Sequence, residues 1–154
     1  MIVQEAADRT DWGTVYDCMT EGLQKRYALG FLITLDPEMN AGSPWRDKCQ
    51  SVLVRHGLGA EDQNNRKRSR DPNEDIELLA DSIKDRRGLF VDALNLIVEM
   101  DDESKIEPFL FPGELTNVSI DGDVATATRK WKIGDRERPS AMSFKKVNGS
   151  WFLD

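Results

Sequence analysis

The feature that most constrains the fold is a change in the spacing of apolar residues near Lys105. Up to about Met100 the apolar residues recur every three or four positions, the spacing that places them on one face of an α-helix. From Lys105 onward they alternate with polar residues, and turn signals recur at short intervals, which is typical of antiparallel strands. This order predicts an α+β fold in which N-terminal helices pack on a C-terminal antiparallel sheet of about four strands.

Capping and stop signals divide the first part of the helical region. Thr10-Asp11 precedes one apolar helical stripe, and Thr20 precedes a second, and each offers a side-chain oxygen to the free amide groups of a first helical turn. Asp36-Pro37 stops the second helix, because a residue before proline avoids the helical conformation. Because the apolar residues keep helical spacing from about Ile2 to Met19, with the break at Thr10-Asp11, we expect a first helix from Ile2, a second short helix that ends near Met19, and a longer helix from Glu21 to Leu35.

Two further helices are predicted before the sheet. Ser43-Pro44 is a start signal for a helix that runs to about His56, and Gly57 fits the left-handed position just after it. The stretch from Glu74 to Met100 keeps helical spacing throughout, and we expect Gly88 to divide it in two. The polar segment between these helices, which carries the basic run 66–70 and is followed by acidic residues, is interpreted as a solvated loop.

Two dipeptides predict tight hairpin turns in the sheet. Asp121-Gly122 separates the apolar-polar alternation of Leu115 to Ile120 from that of Val124 to Ile133. Asn148-Gly149 lies in the same way before the last strand. A type I′ turn needs positive φ at both central positions, and Asp-Gly tolerates it, so the first turn is predicted to be type I′ and the second to be a two-residue turn.

Length and charge restrict the class of protein. The chain has 154 residues, 39% of them hydrophobic, which fits one domain spanning residues 1–154 with a single core. A net charge of −7 opposes binding to nucleic acid or to anionic lipid. No apolar run approaches the length of about 18 residues that spans a bilayer, so no membrane insertion is expected. As written the chain is cytoplasmic, and it is exported if a signal was removed before Met1.

Candidate groups for metal binding or covalent chemistry are few. Cys18 and Cys49 lie on separate predicted helices, and with His56 they form no CxxC or HExxH spacing, so the sequence predicts no metal site and no cofactor. The two thiols are expected to be buried, with a disulfide between them as the second interpretation. His56 is expected to cap a helix C-terminus, where the helix dipole favours a cation.

Several carboxylates lie beside apolar helix faces, where burial would raise their pKa and suit them to acid-base chemistry. Solvated carboxylates are the commoner situation on helices, so no catalytic residue is assigned. The carboxylates in question are Asp17, Asp47, Asp85 and Asp92.

Two blocks near the C-terminus carry a family resemblance. Ser119 to Ala127 and Phe144 to Trp151 resemble the end of nuclear-transport-factor-2-like proteins, a cystatin-like α+β superfamily that includes ketosteroid isomerase. Asp11 to Thr20 and Asp85 to Phe90 are similar to exported bacterial members of unknown function. The resemblance implies a cone in which a curved sheet wraps the helices and leaves a pocket, and it does not by itself choose a function.

The resemblance leads to three functional hypotheses. The first is a noncatalytic ligand-binding or protein-interaction domain, whose expected partner is a small apolar ligand in the cone. The alternative is an isomerase, dehydratase or hydrolase acting in that apolar pocket. The third is a homodimer through the outer face of the sheet, where Thr126, Thr128 and Lys130 are expected to lie. The predicted pocket lining is Tyr16, Phe31, Phe90, Leu94, Trp131, Met142 and Phe144.

Overall fold

The structure is a computed structural model that describes residues 6, 9–37, 40–59, 81–100, 115–133 and 136–154, with backbone alone for 131–133 and 136–138. The α+β class is confirmed, because the described helices precede a four-stranded antiparallel sheet. The helices are α1 (Trp12–Asp17), α2 (Glu21–Thr34), α3 (Arg46–Arg55) and α4 (Arg86–Met100). The strands are β1 (Leu115–Asp121), β2 (Val124–Ile133), β3 (Arg136–Val147) and β4 (Ser150–Leu153).

The chain divides into two compact units. Met1–Leu23 and Ile106–Asp154 form the sheet unit, and Gln24–Lys105 forms the helical unit. Across the described ranges, no helix is both long enough and apolar enough to cross a membrane. The predicted solvated loop, with its basic run at 66–70, lies outside the described residues, as does the first part of the predicted helix before position 81.

The sheet is a meander with the order β1-β2-β3-β4, and every pair is antiparallel. Ala125 pairs with Phe144, which pairs in turn with Leu153, so these three side chains project from one face. Ala125 and Leu153 are buried, which identifies this face as the core side of the sheet. Thr126 and Lys130 lie on the opposite face and are exposed.

The two hairpin turns differ from one another. Val147 pairs with Ser150, which confirms the predicted two-residue turn at Asn148-Gly149, and the φ values of +51° and +85° make it type I′. In the first hairpin Asp121 pairs with Val124, so the central residues are Gly122 and Asp123. Of these two only Gly122 has positive φ, at +58°, the pattern of a type II′ turn. The type I′ turn predicted at Asp121-Gly122 is therefore wrong by one residue, because Asp121 stays in the strand.

Side-chain caps start the first two helices, as the sequence predicts. Asp11 Oδ1 accepts the backbone N–H of Thr14 at 3.1 Å and begins α1. Thr20 Oγ1 accepts the N–H of Leu23 at 3.3 Å and begins α2. Each oxygen satisfies an amide that has no partner inside its helix, so these starts are fixed locally by the sequence.

Helix α3 begins after a turn and not at the predicted Ser43-Pro44. The Ser43 hydroxyl accepts the N–H of Trp45 at 3.2 Å, and the first helical residue is Arg46. The Ser43 hydroxyl therefore accepts a hydrogen bond from a backbone amide, as expected from its residue type, but this amide belongs to the turn that precedes the helix.

The end of α3 is a Schellman motif. His56 is the C-cap, and Gly57 follows it with a φ of +89°. The N–H of Gly57 donates to Val54 O at 3.1 Å, and the N–H of Leu58 donates to Leu53 O at 3.0 Å. These two bonds satisfy carbonyls that have no partner within the helix, and the two leucines are buried. The prediction for Gly57 is confirmed.

Helix α4 begins before Gly88, so the prediction that Gly88 divides a longer helix is wrong. Residues 81–82 are helical, 83–85 are not, and α4 starts at Arg86. The Asp85 carboxylate accepts the N–H of Gly88 at 2.8 Å. Asp85 therefore caps the helix from three residues before the glycine, which lies inside the first turn.

Replacing Gly57 with Ala tests the left-handed end of α3. The new Cβ has open space, since its nearest neighbour is Lys84 Cδ at 4.0 Å, so the cost comes from the positive φ alone. We expect Gly57→Ala to lower the free energy of unfolding by about 1 kcal/mol in chemical denaturation. Gly42→Ala, where nothing lies within 4 Å, is the control and should be neutral or slightly stabilising. Equal effects of the two substitutions would contradict this account.

Candidate functional site

The candidate site is an open groove between α3 and α4 in the helical unit. The N-terminal part of α3 contacts the C-terminal part of α4 through Lys48 and Glu99, and the last residue of α3, Arg55, contacts Asp92 in the middle of α4. The two helices are therefore antiparallel. The groove has a volume of about 250 Å³ and is lined by Lys48, Ser51, Val52, Arg55, Asp92, Asn95, Leu96 and Glu99.

Two ion pairs cross the groove, one near each end. Lys48 Nζ contacts the Glu99 carboxylate, and both side chains are more than half exposed. Arg55 Nη1 lies 2.7 Å from Asp92 Oδ2. Both cations are on α3 and both anions are on α4, so one side of the groove is positive and the other is negative.

The remaining lining residues give the groove an apolar floor and a polar surface. Val52 and Leu96 are buried, while Ser51 and Asn95 are exposed between the two ion pairs. At one end, Lys48 Nζ lies 4.7 Å from the centroid of the Trp45 ring, within range of a cation-π interaction. Lys48 is thus held from two sides, by an aromatic face and by Glu99. The surface presents fixed charges and neutral hydrogen-bonding groups.

At the Arg55 end of the groove, the half-buried Asp92 also forms a hydrogen-bonded pair with His56, which is buried behind the lining. His56 Nε2 lies 3.0 Å from Asp92 Oδ2, the oxygen that also accepts from Arg55. The side chain of His56 is 7% exposed and that of Asp92 is 27% exposed. His56 is the chain's one histidine, and it turns towards α4 instead of lining the groove.

The partners of Asp92 determine its ionisation. Burial is the largest single influence and on its own would raise the pKa of this carboxyl group. Hydrogen bonds from His56 and Arg55, together with the positive charges of these groups, outweigh it and hold the pKa of Asp92 below its usual value. Burial thus acts in the expected direction, but the net pKa of Asp92 is lowered and does not suit this carboxyl group to the acid-base chemistry considered from the sequence. The other three carboxylates singled out from the sequence, Asp17, Asp47 and Asp85, are exposed.

Gly88 provides the space that the His56 ring occupies. A Cβ atom at this position would lie 2.8 Å from His56 Cε1 and would also overlap the Asp85 carboxylate that caps α4. Real Cβ atoms do not approach other groups so closely. The glycine therefore lets the end of α3 and the start of α4 come together around the histidine.

Three of the predicted pocket residues lie together in the helical unit. The ring centroids of Phe31 and Phe90 are 5.7 Å apart in an edge-to-face arrangement, and Leu94 is buried one turn after Phe90. Tyr27, which is not among the predicted pocket residues, completes the cluster, because its ring centroid lies 5.5 Å from that of Phe90. Its spacing of four residues before Phe31 was the signal available in the sequence. These rings pack against one another in the interior of the unit.

Three more predicted residues belong to the sheet unit. Tyr16 is buried in α1, while Met142 and Phe144 are half-buried on the core face of β3, paired with Ala127 and Ala125. The seventh, Trp131, lies in β2, and its side chain is outside the described part of the structure. The groove lining includes none of the seven, and their role as a ligand pocket stays a prediction.

Of the four charged groove residues, the sequence analysis singled out Asp92 alone, although the sequence contains part of the signal for the others. Lys48 and Arg55 are seven residues apart, as are Asp92 and Glu99, a spacing that places each pair on one face of its helix. Which helix lies beside which is a tertiary property. The sequence therefore contains two charged faces but does not show that they form opposite sides of one groove.

Thiol and metal chemistry receive little support from the described residues. Cys18 and Cys49 are free thiols, and burial raises the pKa of both, with the Asp17 carboxylate adding to the rise at Cys18. A raised pKa leaves less of the nucleophilic thiolate at neutral pH. Within the described residues, no three His, Cys, Asp or Glu side chains come together as a metal-ligand set.

Comparisons with protein-family models, with curated proteins and with solved structures gave no match. The function must therefore be inferred from the site itself. Its geometry offers a charged, open surface supported from behind by a buried His-Asp pair.

Gly88→Ala tests the packing around His56. Alanine favours an exposed helix interior by about 1 kcal/mol over glycine, but here its methyl group displaces either the His56 ring or the Asp85 cap. We expect the substitution to lower the free energy of unfolding by about 1–3 kcal/mol, the usual cost of overpacking. Gly30→Ala in α2, where nothing lies within 4 Å, is the matched control and should raise stability by about 0.5–1 kcal/mol. The same sign for both would refute the packing role of Gly88.

Asp92→Asn tests the buried pair through its pH dependence. Because the folded pKa of Asp92 is lowered, its charge stabilises the fold above the unfolded value of about 3.9, and this stabilisation is lost as the pH falls through the folded pKa. We expect the substitution to cost about 1–3 kcal/mol at neutral pH and progressively less in acid, measured by chemical denaturation at several pH values.

Asp81→Asn is the control for this measurement. Asp81 also accepts from two cations, Lys25 and Arg86, but its side chain is 55% exposed. Exposed pairs contribute less than about 1 kcal/mol, so this variant should show a small loss at neutral pH. A loss for Asp92→Asn that stays constant throughout the acid range would contradict the lowered pKa of Asp92.

Proposed function

We propose that this chain is a noncatalytic ligand-binding or protein-interaction domain that recognises its partner through the α3-α4 groove. The observation that carries the proposal is the arrangement of this surface. Two cross-helix ion pairs flank Ser51 and Asn95, so charged and neutral polar groups face solvent at fixed positions. Fixed charges of both signs give an interface its specificity and register.

The shape of the groove favours a protein surface over an enclosed small molecule. Small-molecule sites usually measure about 300–1,000 Å³ and bury most of the ligand in apolar walls. At about 250 Å³ this groove is smaller, and it is lined largely by charged and amide side chains. The small apolar ligand predicted from the sequence would stay largely open to solvent in this groove, whereas a protein surface could cover its floor and pair with the polar groups around it.

The state of the ionisable groups favours binding over catalysis. A general base must reach the proton that it removes. Both carboxylates of the groove are engaged in ion pairs, and His56 is buried with its Nε2 directed at Asp92. The isomerase, dehydratase or hydrolase alternative would require one of these groups to leave its partner.

The proposal also includes the family and the domain organisation of the whole chain. The resemblance to nuclear-transport-factor-2-like proteins supports a single domain over residues 1–154, and in that superfamily noncatalytic members bind partners or ligands. The blocks at Ser119 to Ala127 and Phe144 to Trp151 carry that resemblance. A homodimer through the sheet face of Thr126, Thr128 and Lys130 is a further proposal of the same kind, and it uses a different surface from the groove.

A photo-cross-linking residue at Ser51 tests the proposal. Ser51 is exposed in the groove, and Ile33, 53% exposed on α2, provides a control position outside the lining. In cells that express the full chain, we expect Ser51 to give an adduct of one discrete mass that Ile33 does not give. Adding Lys48→Glu should reduce the yield of this adduct by about tenfold, because it places a like charge beside Glu99.

Two results would count against the proposal. Equal labelling at Ser51 and Ile33 would show that the groove selects no partner. Turnover of a small molecule that is abolished by Asp92→Asn, in a variant that remains folded by circular dichroism, would indicate catalysis in place of binding.

A further inference from the structure

We propose that the partner of the α3-α4 groove is a second copy of this chain, bound groove against groove about a two-fold axis parallel to the two helices. This inference rests on the proposed function, because it uses the same surface. It is carried by the distribution of charge across the groove, which is complementary to itself under that symmetry.

The charges form two parallel rows. Lys48 and Arg55 are two helical turns apart on α3, which corresponds to about 10 Å along the axis. Asp92 and Glu99 have the same separation on α4. Because the ion pairs join Lys48 to Glu99 and Arg55 to Asp92, the two rows lie side by side, and each cation is at the same height along the helix axes as its anion.

The symmetry of a homodimer selects one way to bring two such surfaces together. A two-fold axis along the groove exchanges its sides, so the α3 row of one copy faces the α4 row of the other. Lys48 then faces Glu99 of the second copy, and Arg55 faces its Asp92. A two-fold axis across the groove would instead place cations opposite cations and anions opposite anions, which costs several kcal/mol. Charge therefore favours the first arrangement.

In the resulting contact, charges of opposite sign alternate, and every cation lies beside one anion of its own copy and one anion of the second copy. Isolated exposed ion pairs contribute little, but a network with fixed geometry contributes more. Lys48 is already held by Trp45 and Glu99, and Arg55 by Asp92, so little side-chain freedom remains to be lost on binding. Ser51 and Asn95 lie between the charged ends and supply neutral hydrogen bonds across the centre of the contact.

The net charge of −7 opposes any self-association at long range. At physiological ionic strength charges more than about 8 Å apart are largely screened, whereas contacting pairs are screened much less. The local pattern of the groove can therefore determine the contact under these conditions.

A charge-swap experiment tests this arrangement on the full chain. Lys48 and Glu99 are 52% and 54% exposed, so single substitutions there should leave the fold intact. K48E makes the Lys48 end of the groove wholly acidic, and E99K makes it wholly basic. By sedimentation equilibrium at physiological ionic strength, we expect wild type to dimerise and each variant alone to dimerise about tenfold more weakly or worse. An equimolar mixture of the two variants should recover association as a heterodimer.

K25E is the matched control. Lys25 is a partly exposed lysine in an ion pair with Asp81, in the same unit but outside the groove lining, so it undergoes the same change of charge. Its dimerisation should equal that of wild type. A role of the Lys48-Glu99 pair in folding alone would lower the stability of both variants but would not produce recovery on mixing.

Three results would overturn the inference. They are a wild-type chain that stays monomeric at its highest soluble concentration, a dimer that K48E and E99K leave intact, and a mixture that fails to recover. The Ser51 cross-link separates this failure from failure of the proposed function. An adduct of the groove with a different protein would keep the proposed function and reject the second copy, whereas no selective adduct would reject both.

Discussion

The hydrogen bond between His56 and Asp92 holds the end of α3 against α4, and much of the helical unit depends on it. His56 is also the C-cap of α3, where Gly57 turns the chain away, and Gly88 leaves space for the ring beside the first turn of α4. A buried polar pair is costly unless both members are satisfied. Here Arg55 donates to the same carboxylate oxygen, and these interactions together hold the pKa of Asp92 below its usual value despite its burial.

This constraint explains why the groove has its polarity. Once His56 fixes the antiparallel contact of the two helices, Lys48 meets Glu99 two turns away. The charges then project from one surface in two rows, while Val52 and Leu96 close the space beneath them. A surface of this kind is suited to recognising another charged surface in one orientation. The inferred function thus depends on packing and charge together, because packing sets the two helices side by side and the charged residues make their facing rows opposite in sign.

Local signals in the sequence were reliable where one side chain or one dihedral angle decides the structure. Asp11 and Thr20 cap helices because their oxygens reach amides three residues ahead, and Asn148-Gly149 forms a type I′ turn because both residues accept positive φ. The errors arose where a longer-range partner intervened. Strand pairing kept Asp121 in β1 and moved the first turn onward, and the Asp85 cap with the His56 ring kept Gly88 inside a helix.

The sequence by itself determined the α+β class, the order of helices and strands, and most of their caps and turns, because these depend on periodicity and on contacts within a few residues. It also contained the charged faces of α3 and α4. Only the tertiary structure decided that these faces form one groove, because Lys48 and Glu99 are 51 positions apart and His56 and Asp92 are 36 apart. Contacts over such separations are set by how helices pack, and a helical pattern identifies a buried face without naming the helix that covers it.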